Sequence, residues 1–189
     1  MDAFWISFGI IFLAELGDKS QLMAMTFAAR YRAVTILAAI TAATALVHLV
    51  SVVVGAAFGA ALPTDVISIV GGLAFLGFAA WTLRGDSLDD DEVERADRGG
   101  RSVLLTVAVA FFLAELGDKT MLATITLATD HGLVGTWLGS TLGMVAADAL
   151  AIVVGQQLGA RLPERTVKIG AAITFAAFGA ILIVEGLTA

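Results

Sequence analysis

A charged hexapeptide occurs twice in the chain, each time inside a stretch that is apolar enough to cross a bilayer. Glu-Leu-Gly-Asp-Lys-Ser at residues 15–20 returns as Glu-Leu-Gly-Asp-Lys-Thr at residues 115–120, an offset of 100 residues (115 − 15). A charged side chain near the bilayer centre costs roughly 2.5–3.5 kcal/mol even on the lenient insertion scale. Stability alone would not keep three such residues in each copy. An ion path across a membrane is therefore the default hypothesis.

The composition predicts a polytopic membrane protein. Of the 189 residues, 59% are hydrophobic, whereas a soluble globular chain is about half apolar. The chain contains no cysteine, which excludes a disulfide framework and a thiolate metal site. Met1-Asp2-Ala3 supplies no basic n-region, so we expect no cleaved signal peptide. The expected partners are the lipid bilayer and small ions, and we expect no nucleic acid.

Six segments satisfy the length of about 20 apolar residues that a span needs. They cover residues 3–28, 33–60, 65–83, 103–128, 133–159 and 166–187. An acidic segment lies between the third and the fourth, and its composition is typical of a solvated linker. We therefore divide the chain into a first three-helix repeat at 1–83, an acidic cytoplasmic linker at 84–102, and a second three-helix repeat at 103–189.

The two halves match beyond the hexapeptide. At the same offset, Gly55 matches Gly155, and Phe75 and Phe78 match Phe175 and Phe178. Three spans is an odd number, so the second repeat enters the membrane from the opposite side. Inverted repeats of this kind build transporters whose site lies between the halves at the midplane. The predicted fold is an all-α membrane protein with six transmembrane helices, arranged as two inverted three-helix repeats.

The basic residues predict the orientation. Outside the two motifs, every Lys and Arg falls in or next to the loops after the first, third and fifth spans, all on one side: Arg30, Arg32, Arg84, Arg95, Arg98, Arg101, Arg161, Arg165 and Lys168. By the positive-inside rule these loops are cytoplasmic and both termini are external.

Within each motif the charged side chains share one helix face. Residues three and four apart are neighbours on a helix, so Glu15 lies beside Asp18 and Lys19, and the second copy repeats the arrangement. Gly17 and Gly117 remove side-chain bulk there, which lets another helix approach or the backbone open. The side-chain oxygens of Ser20, Gln21 and Thr120 lie at the same membrane depth as the carboxylates and are further candidate ligands. If the two motifs meet, four carboxylates converge at mid-membrane.

Such a cluster is suited to a divalent ion. Carboxylate, carbonyl and water oxygens favour Ca²⁺, Mg²⁺ or Mn²⁺. When the ion leaves, repulsion and desolvation favour protonation, so protons should replace it. A site of this kind, exposed alternately to each face, is a metal/proton antiporter, with no catalytic residue and no cofactor besides the transported ion.

The repeated Glu-x-Gly-Asp-Lys-(Ser/Thr) motif resembles that of the small cation/proton exchangers that include human transmembrane protein 165 and the yeast Golgi calcium/manganese transporter. The resemblance covers essentially the whole chain. It implies exchange of Mn²⁺ or Ca²⁺ for protons, with export from the cytoplasm across a prokaryotic cell membrane. It also implies the cation-binding acids, which are Glu15, Asp18, Glu115 and Asp118. The second copy has Met121 where the first has Gln21, so the two half-sites differ in ligand supply.

Several residues and readings remain open on the sequence. Lys19 and Lys119 are expected to be counter-ions or gating residues. His48 and Asp148, which occupy equivalent places in the second and fifth spans, are candidates for a supporting shell or a proton relay. The charges could instead form only a neutralising network.

Other functional classes are alternatives. The leading one is an exporter of a small solute, such as an amino acid, built from the same 3+3 helices. A passive cation channel and an intramembrane aspartyl protease are weaker alternatives, the latter because Leu16-Gly17-Asp18 resembles the end of a Gly-x-Gly-Asp motif. The sequence favours neither a monomer nor a homo-oligomer.

Overall fold

The computed structural model describes residues 2–84, 103–158 and 164–188, and these residues are all-helical apart from short connections. The helices, numbered here in chain order, are α1 Asp2–Glu15, α2 Lys19–Arg30, α3 Ala33–Ala61, α4 Thr64–Arg84, α5 Val103–Glu115, α6 Lys119–Asp130, α7 Leu133–Leu158 and α8 Glu164–Thr188. The predicted acidic linker, apart from Arg84, lies outside the described residues.

Four helices are long and apolar enough to cross a membrane by themselves, namely α3, α4, α7 and α8. Their bounds agree with the second, third, fifth and sixth predicted spans to within a few residues. The chain is therefore a multi-pass membrane protein. The end of α3 has a local cause: Leu62 precedes Pro63 and is extended, with φ −117° and ψ 150°. A residue before proline is disfavoured in the helical region.

The other two predicted spans, 3–28 and 103–128, are each divided into two helices. The α1 helix ends at Glu15 and α2 begins at Lys19, and the second motif repeats this break between α5 and α6. Gly17 and Gly117 lie in the breaks with φ values of 78° and 80°, a left-handed conformation that glycine adopts without steric penalty. The α1 helix has 14 residues and is too short to cross a bilayer alone.

The halves of the two divided segments pack crosswise. One hydrophobic cluster joins α1 and α6, and it includes Ile11 and Leu127. A second cluster joins α2 and α5, and it includes Phe27 and Phe111. Each divided segment thus contributes one half to each cluster, and the two breaks lie between the clusters.

Glycines on the long helices let the short helices approach closely. A Cβ added at Gly143 on α7 would lie 2.6 Å from the carbonyl oxygen of Phe8 on α1. A Cβ added at Gly55 on α3 would lie 2.7 Å from the Cβ of Ala128 on α6. These glycines therefore pack helices within one chain, as expected for small residues at membrane helix interfaces.

Several contacts join a residue to the residue 100 positions later. The rings of Phe75 on α4 and Phe175 on α8 have centroids 5.8 Å apart, and Phe75 also contacts Phe178 at 4.9 Å. On the long helices, the hydroxyl of Thr44 donates to the sulfur of Met144 at 3.3 Å. The α3 and α7 helices therefore meet at equivalent positions, and so do α4 and α8.

The pair formed by α4 and α8 is placed asymmetrically. The α4 helix packs against α6, and α8 packs against α1. The corresponding contacts on the other side, between α8 and α2 and between α4 and α5, are minor or absent among the described residues. The aromatic residues of α4 and α8 accordingly belong to the cluster formed with α1 and α6. One end of the bundle is thus covered by α4 and α8, and the other is not.

Candidate cation site

The two helix breaks position the carboxylates of both motifs. Glu15 and Glu115 are the last residues of α1 and α5, and Asp18 and Asp118 immediately precede α2 and α6. The backbone N–H of each aspartate donates to the carbonyl oxygen of the preceding glutamate, at 3.1 Å in the first motif and 3.3 Å in the second. All four side chains are buried. The break therefore brings two carboxylates to each helix junction.

A hydroxyl in each motif binds the glutamate of the same motif. The hydroxyl of Ser20 donates to Oε1 of Glu15, and the hydroxyl of Thr120 donates to Oε2 of Glu115 at 2.8 Å. Ser20 and Thr120 were predicted as additional metal ligands. In this structure each hydroxyl donates a hydrogen bond to the glutamate of its own motif, and the ligand role stays a prediction.

A lysine links the two motifs. The ammonium of Lys119 on α6 forms a buried ion pair with Oδ1 of Asp18, which precedes α2. A network in which the motif charges only neutralise one another would contain such a cross-motif pair. The side chain of Lys19, the other expected counter-ion, lies outside the described side chains. Lys119 thus acts as a counter-ion, and it does so toward the motif to which it does not belong.

The acids of both motifs interact electrostatically. The carboxylate of Glu15 is repelled by those of Glu115, Asp18 and Asp148 and attracted by the ammonium of Lys119. The carboxylate of Glu115 is repelled by those of Asp118, Asp18 and Asp148. Together with the Lys119–Asp18 ion pair, these interactions place the two motifs close together.

The carboxylates nevertheless keep some unused oxygens. No donor among the described residues reaches Oε2 of Glu15, Oδ2 of Asp18 or Oε1 of Glu115. Buried polar atoms usually have partners, so these oxygens fit an occupant with positive charge. Within the described parts of the chain, no three His, Asp or Glu side chains yet converge at metal-binding distance. In this conformation the four acids are neighbours without forming one coordination shell.

Gln21 and its counterpart Met121 support the breaks. The amide oxygen of Gln21 accepts from the backbone N–H of Gly17 at 2.8 Å, and its amide nitrogen donates to the carbonyl of Ala147 on α7 at 2.9 Å. In the second motif, the sulfur of Met121 accepts from the N–H of Gly117 at 3.2 Å. Gln21 was predicted as an additional ligand, but here its amide stabilises the turn and joins it to α7. The sequence did not predict this contact with Ala147.

His48 and Asp148 are both fully buried. Neither ring nitrogen of His48 and neither oxygen of Asp148 has a hydrogen-bond partner in the described residues. The carboxylate of Asp148 interacts electrostatically with Asp18. Asp148 therefore belongs to the same charged region as the motifs.

Comparison with known proteins assigns the family. The sequence profile of the family described as "Divalent cation/proton antiporter GDT1" matches residues 3–90 and 103–189. The chain belongs to the GDT1 family. The match includes both motifs, so the resemblance stated from the sequence is confirmed.

Individual relatives come from bacteria and plants. The chain is 34% identical over 166 residues to a Vibrio cholerae protein named "Putative manganese exporter", covering 86% of this chain and 81% of that protein. It is 28% identical to the Synechocystis "GDT1-like protein sll0615", covering 96% of each chain. It is 29% identical to "Protein PAM71, chloroplastic" of Arabidopsis thaliana, covering 96% of this chain but 56% of the plant protein. No solved structure matches the chain.

Family membership narrows the functional alternatives. A transmembrane family of cation/proton antiporters favours metal exchange over a small-solute exporter, a passive channel or a protease. The chemistry of a GDT1 protein requires groups that bind a divalent cation and protons, and the buried acids of the two motifs have this character.

Proposed function

We propose that this GDT1 protein exchanges a divalent cation, Mn²⁺ or Ca²⁺, for protons at one site formed by both motifs. The ligands are the four motif acids: Glu15, Asp18, Glu115 and Asp118. The observation that carries the proposal is that these carboxylates are buried at two helix breaks that the Lys119–Asp18 ion pair joins. Oxygen ligands of this type suit Mn²⁺ and Ca²⁺.

Exchange follows from the excess of negative charge. Four carboxylates carry two more negative charges than Lys19 and Lys119 can balance (4 − 2), and one divalent ion would supply the two missing positive charges. When the metal leaves, the acids must take up protons, because an ionised carboxylate is costly in a low-dielectric interior. Metal binding in turn requires deprotonated ligands and releases protons. The same oxygens therefore hold either the metal or protons, and occupancy by one excludes the other.

The proposed architecture is six spans in two inverted repeats, with the divided segments as the first and fourth spans. Three observations support it. The two halves repeat the same order of helices, equivalent residues such as Phe75 and Phe175 touch each other, and the halves of the divided segments pair crosswise. Contact between a residue and its own copy is expected where a twofold axis passes between the repeats.

Alternating access follows from the asymmetric placement of α4 and α8. They pack on the end of the bundle formed by α1 and α6, and among the described residues they make few or no contacts with the end formed by α2 and α5. We propose that in the opposite state the repeats exchange these conformations, so that α8 packs on α2 and α4 on α5. Access to the site would then shift to the other end. In transporters built from inverted repeats, alternating access is largely rocking of one repeat against the other around a fixed site.

The proposed direction is export from the cytoplasm, with both chain termini external. The distribution of Lys and Arg supports this orientation. In it, the end covered by α4 and α8 faces outward, so we propose that cations reach the buried acids from the cytoplasmic end. The name of the Vibrio cholerae relative supports manganese as cargo. Reporter fusions at Ala189 test the orientation, and a cytoplasmic signal would contradict it.

The site is tested by neutralising each acid in purified protein reconstituted into vesicles. Glu15→Gln, Asp18→Asn, Glu115→Gln and Asp118→Asn should each strongly reduce Mn²⁺ and Ca²⁺ exchange, because an amide keeps an oxygen but carries neither charge nor proton. The matched control is Glu185→Gln, which changes an exposed acid on α8 and should keep wild-type exchange. Wild-type rates in all four motif variants would remove these acids from the mechanism and leave a structural charge network.

A further inference from the structure

Asp148 on α7 is a buried carboxylate outside both motifs, and no described side chain neutralises it. Its exposed fraction is 0%, and neither carboxylate oxygen has a hydrogen-bond donor within the described part of the chain. A buried charge is usually paired, hydrogen-bonded or bound to metal. Asp148 shows neither an ion pair nor a hydrogen bond there.

The position of Asp148 places it at the first motif. Its neighbour Ala147 accepts a hydrogen bond from the amide of Gln21 at 2.9 Å, which holds this turn of α7 at the start of α2. The electrostatic partner of Asp148 is Asp18, and Glu15 and Glu115 also feel its charge. Asp148 therefore lies on the turn of α7 that contacts the first motif, and its charge has the same sign as those of the motif acids, although no three acids among the described residues converge at metal-binding distance in this conformation.

A purely structural role does not account for this placement. Packing would be served as well by leucine or asparagine, and like charges in a low-dielectric interior repel one another strongly. Unpartnered carboxylate oxygens that lie beside other carboxylates suit a bound cation. The excess of acids is therefore consistent with a metal-binding role and unfavourable for stability.

The corresponding position in the other repeat has a different chemistry. His48 occupies it, 100 residues earlier, and is also fully buried. An imidazole carries no negative charge, so the two half-sites differ: the one near the first motif has an additional carboxylate, and the one near the second does not. Because the charges at these equivalent positions differ, a cation would bind the two half-sites with unequal strength.

We propose that Asp148 is a fifth carboxylate ligand of the transported cation, in the half-site formed with Glu15 and Asp18. This inference rests on the proposed function of the motif acids. Asp148 lies on α7, which packs on α1 and α2, so it can complete the coordination shell when Asp18 exchanges Lys119 for the metal. The unequal half-sites place the divalent cation nearer the first motif.

The test is the dissociation constant for Mn²⁺ of the purified full-length protein in detergent, measured by titration calorimetry for wild type, Asp148→Asn and Asp148→Glu. Loss of a group that supports a metal site weakens binding by about 10–100-fold, and we expect at least this loss for Asp148→Asn. Asp148→Glu should bind Mn²⁺ more tightly than Asp148→Asn, because it restores the charge. It should also change the ratio of Mn²⁺ to Ca²⁺ affinity, since a longer side chain alters the size of the cavity.

Thermal unfolding without metal provides the second measurement. Removing an unpartnered buried charge relieves repulsion, so Asp148→Asn should melt at the wild-type temperature or above it. Weaker Mn²⁺ binding together with undiminished stability would support a ligand role. A lower melting temperature with unchanged Mn²⁺ affinity would assign Asp148 a structural role and overturn the inference.

Glu15→Gln separates this inference from the proposed function on which it rests. If Glu15→Gln abolishes Mn²⁺ binding while Asp148→Asn binds as wild type does, the motif site stands and the fifth ligand is rejected. If neither variant changes Mn²⁺ affinity, both proposals fail. Glu185→Gln is the charge-matched control on an exposed surface, and its Mn²⁺ affinity should equal that of wild type.

Discussion

Lys119→Met removes the ammonium that binds Asp18 across the two motifs and keeps a side chain of similar length. The side chains of Lys119 and Asp18 are 5% and 2% exposed, so the pair is shielded from water. Oδ2 of Asp18 has no hydrogen-bond donor among the described residues. After the substitution the Asp18 carboxylate would keep no positive partner that the structure describes.

The magnitude follows from the burial of this pair. Removing one partner of a buried ion pair destabilises a protein by about 3–5 kcal/mol, because the remaining charge is left uncompensated. Adding Asp18→Asn to Lys119→Met removes that charge, so the double variant should recover most of the lost stability. A metal at 100 times its dissociation constant stabilises the folded state by about 2.7 kcal/mol. Mn²⁺ should therefore offset much of the loss in Lys119→Met.

The assay is thermal unfolding in detergent, with and without saturating Mn²⁺, for wild type, Lys119→Met and the double variant with Asp18→Asn. If Lys119 and the metal compete for Asp18, Mn²⁺ should stabilise Lys119→Met more than it stabilises wild type. Equal stability of Lys119→Met and wild type without metal would refute the role of the ion pair. A larger Mn²⁺ effect on wild type would refute the competition.

Two further predictions concern the movement of α4 and α8 and the helix breaks. The chain has no cysteine of its own, so introduced cysteines can be crosslinked selectively. A Cβ added at Gly71 on α4 would lie 2.9 Å from Cγ2 of Thr126 on α6. The double variant Gly71→Cys, Thr126→Cys should therefore form a disulfide in this conformation, and exchange should stop until the disulfide is reduced. Thr26 and Ala171 are the equivalents of Thr126 and Gly71 at the offset of 100 residues. Cysteines at these two positions should form a disulfide only in the opposite state. If no disulfide forms under any metal or pH gradient, the proposed exchange of conformation between the repeats is contradicted. Gly117→Ala should lower the free energy of unfolding by about 1–2 kcal/mol, because residue 117 has φ +80°, a left-handed conformation that is costly for alanine. The new Cβ has no heavy atom within 4 Å, so a clash would not explain the loss. If Gly117→Ala unfolds at the wild-type temperature, this turn is not strained by a side chain.

The sequence predicted the long helices well, because continuous apolar runs with charged or proline-containing ends leave little choice. The second predicted span, 33–60, and the observed helix Ala33–Ala61 differ by one residue at one end. The sequence predicted 3–28 as one span, whereas the structure divides it between Glu15 and Lys19. A single glycine is tolerated in a membrane helix, and the left-handed turn at Gly17 is stabilised by a hydrogen bond to Gln21 that the sequence pattern does not reveal.

The sequence proposed the residues of the candidate site but not their contacts. Repetition of the motif singled out the acids, and the charge imbalance is the reason for proposing that they are functional. The pairing of Lys119 with Asp18, which are 101 positions apart, depends on how the two halves meet. The same is true of Asp148, whose interaction with Asp18 depends on the packing of α7 against the first motif.

The central claim is that one metal site is also the proton site, and a coupled flux measurement tests it most directly. Wild-type protein is reconstituted into vesicles that contain a pH-sensitive dye, and a Mn²⁺ gradient is imposed without any initial pH gradient. We expect protons to move opposite to Mn²⁺, and Glu15→Gln to abolish both fluxes together. Mn²⁺ flux without proton movement, or proton movement that persists in Glu15→Gln, would contradict a shared site.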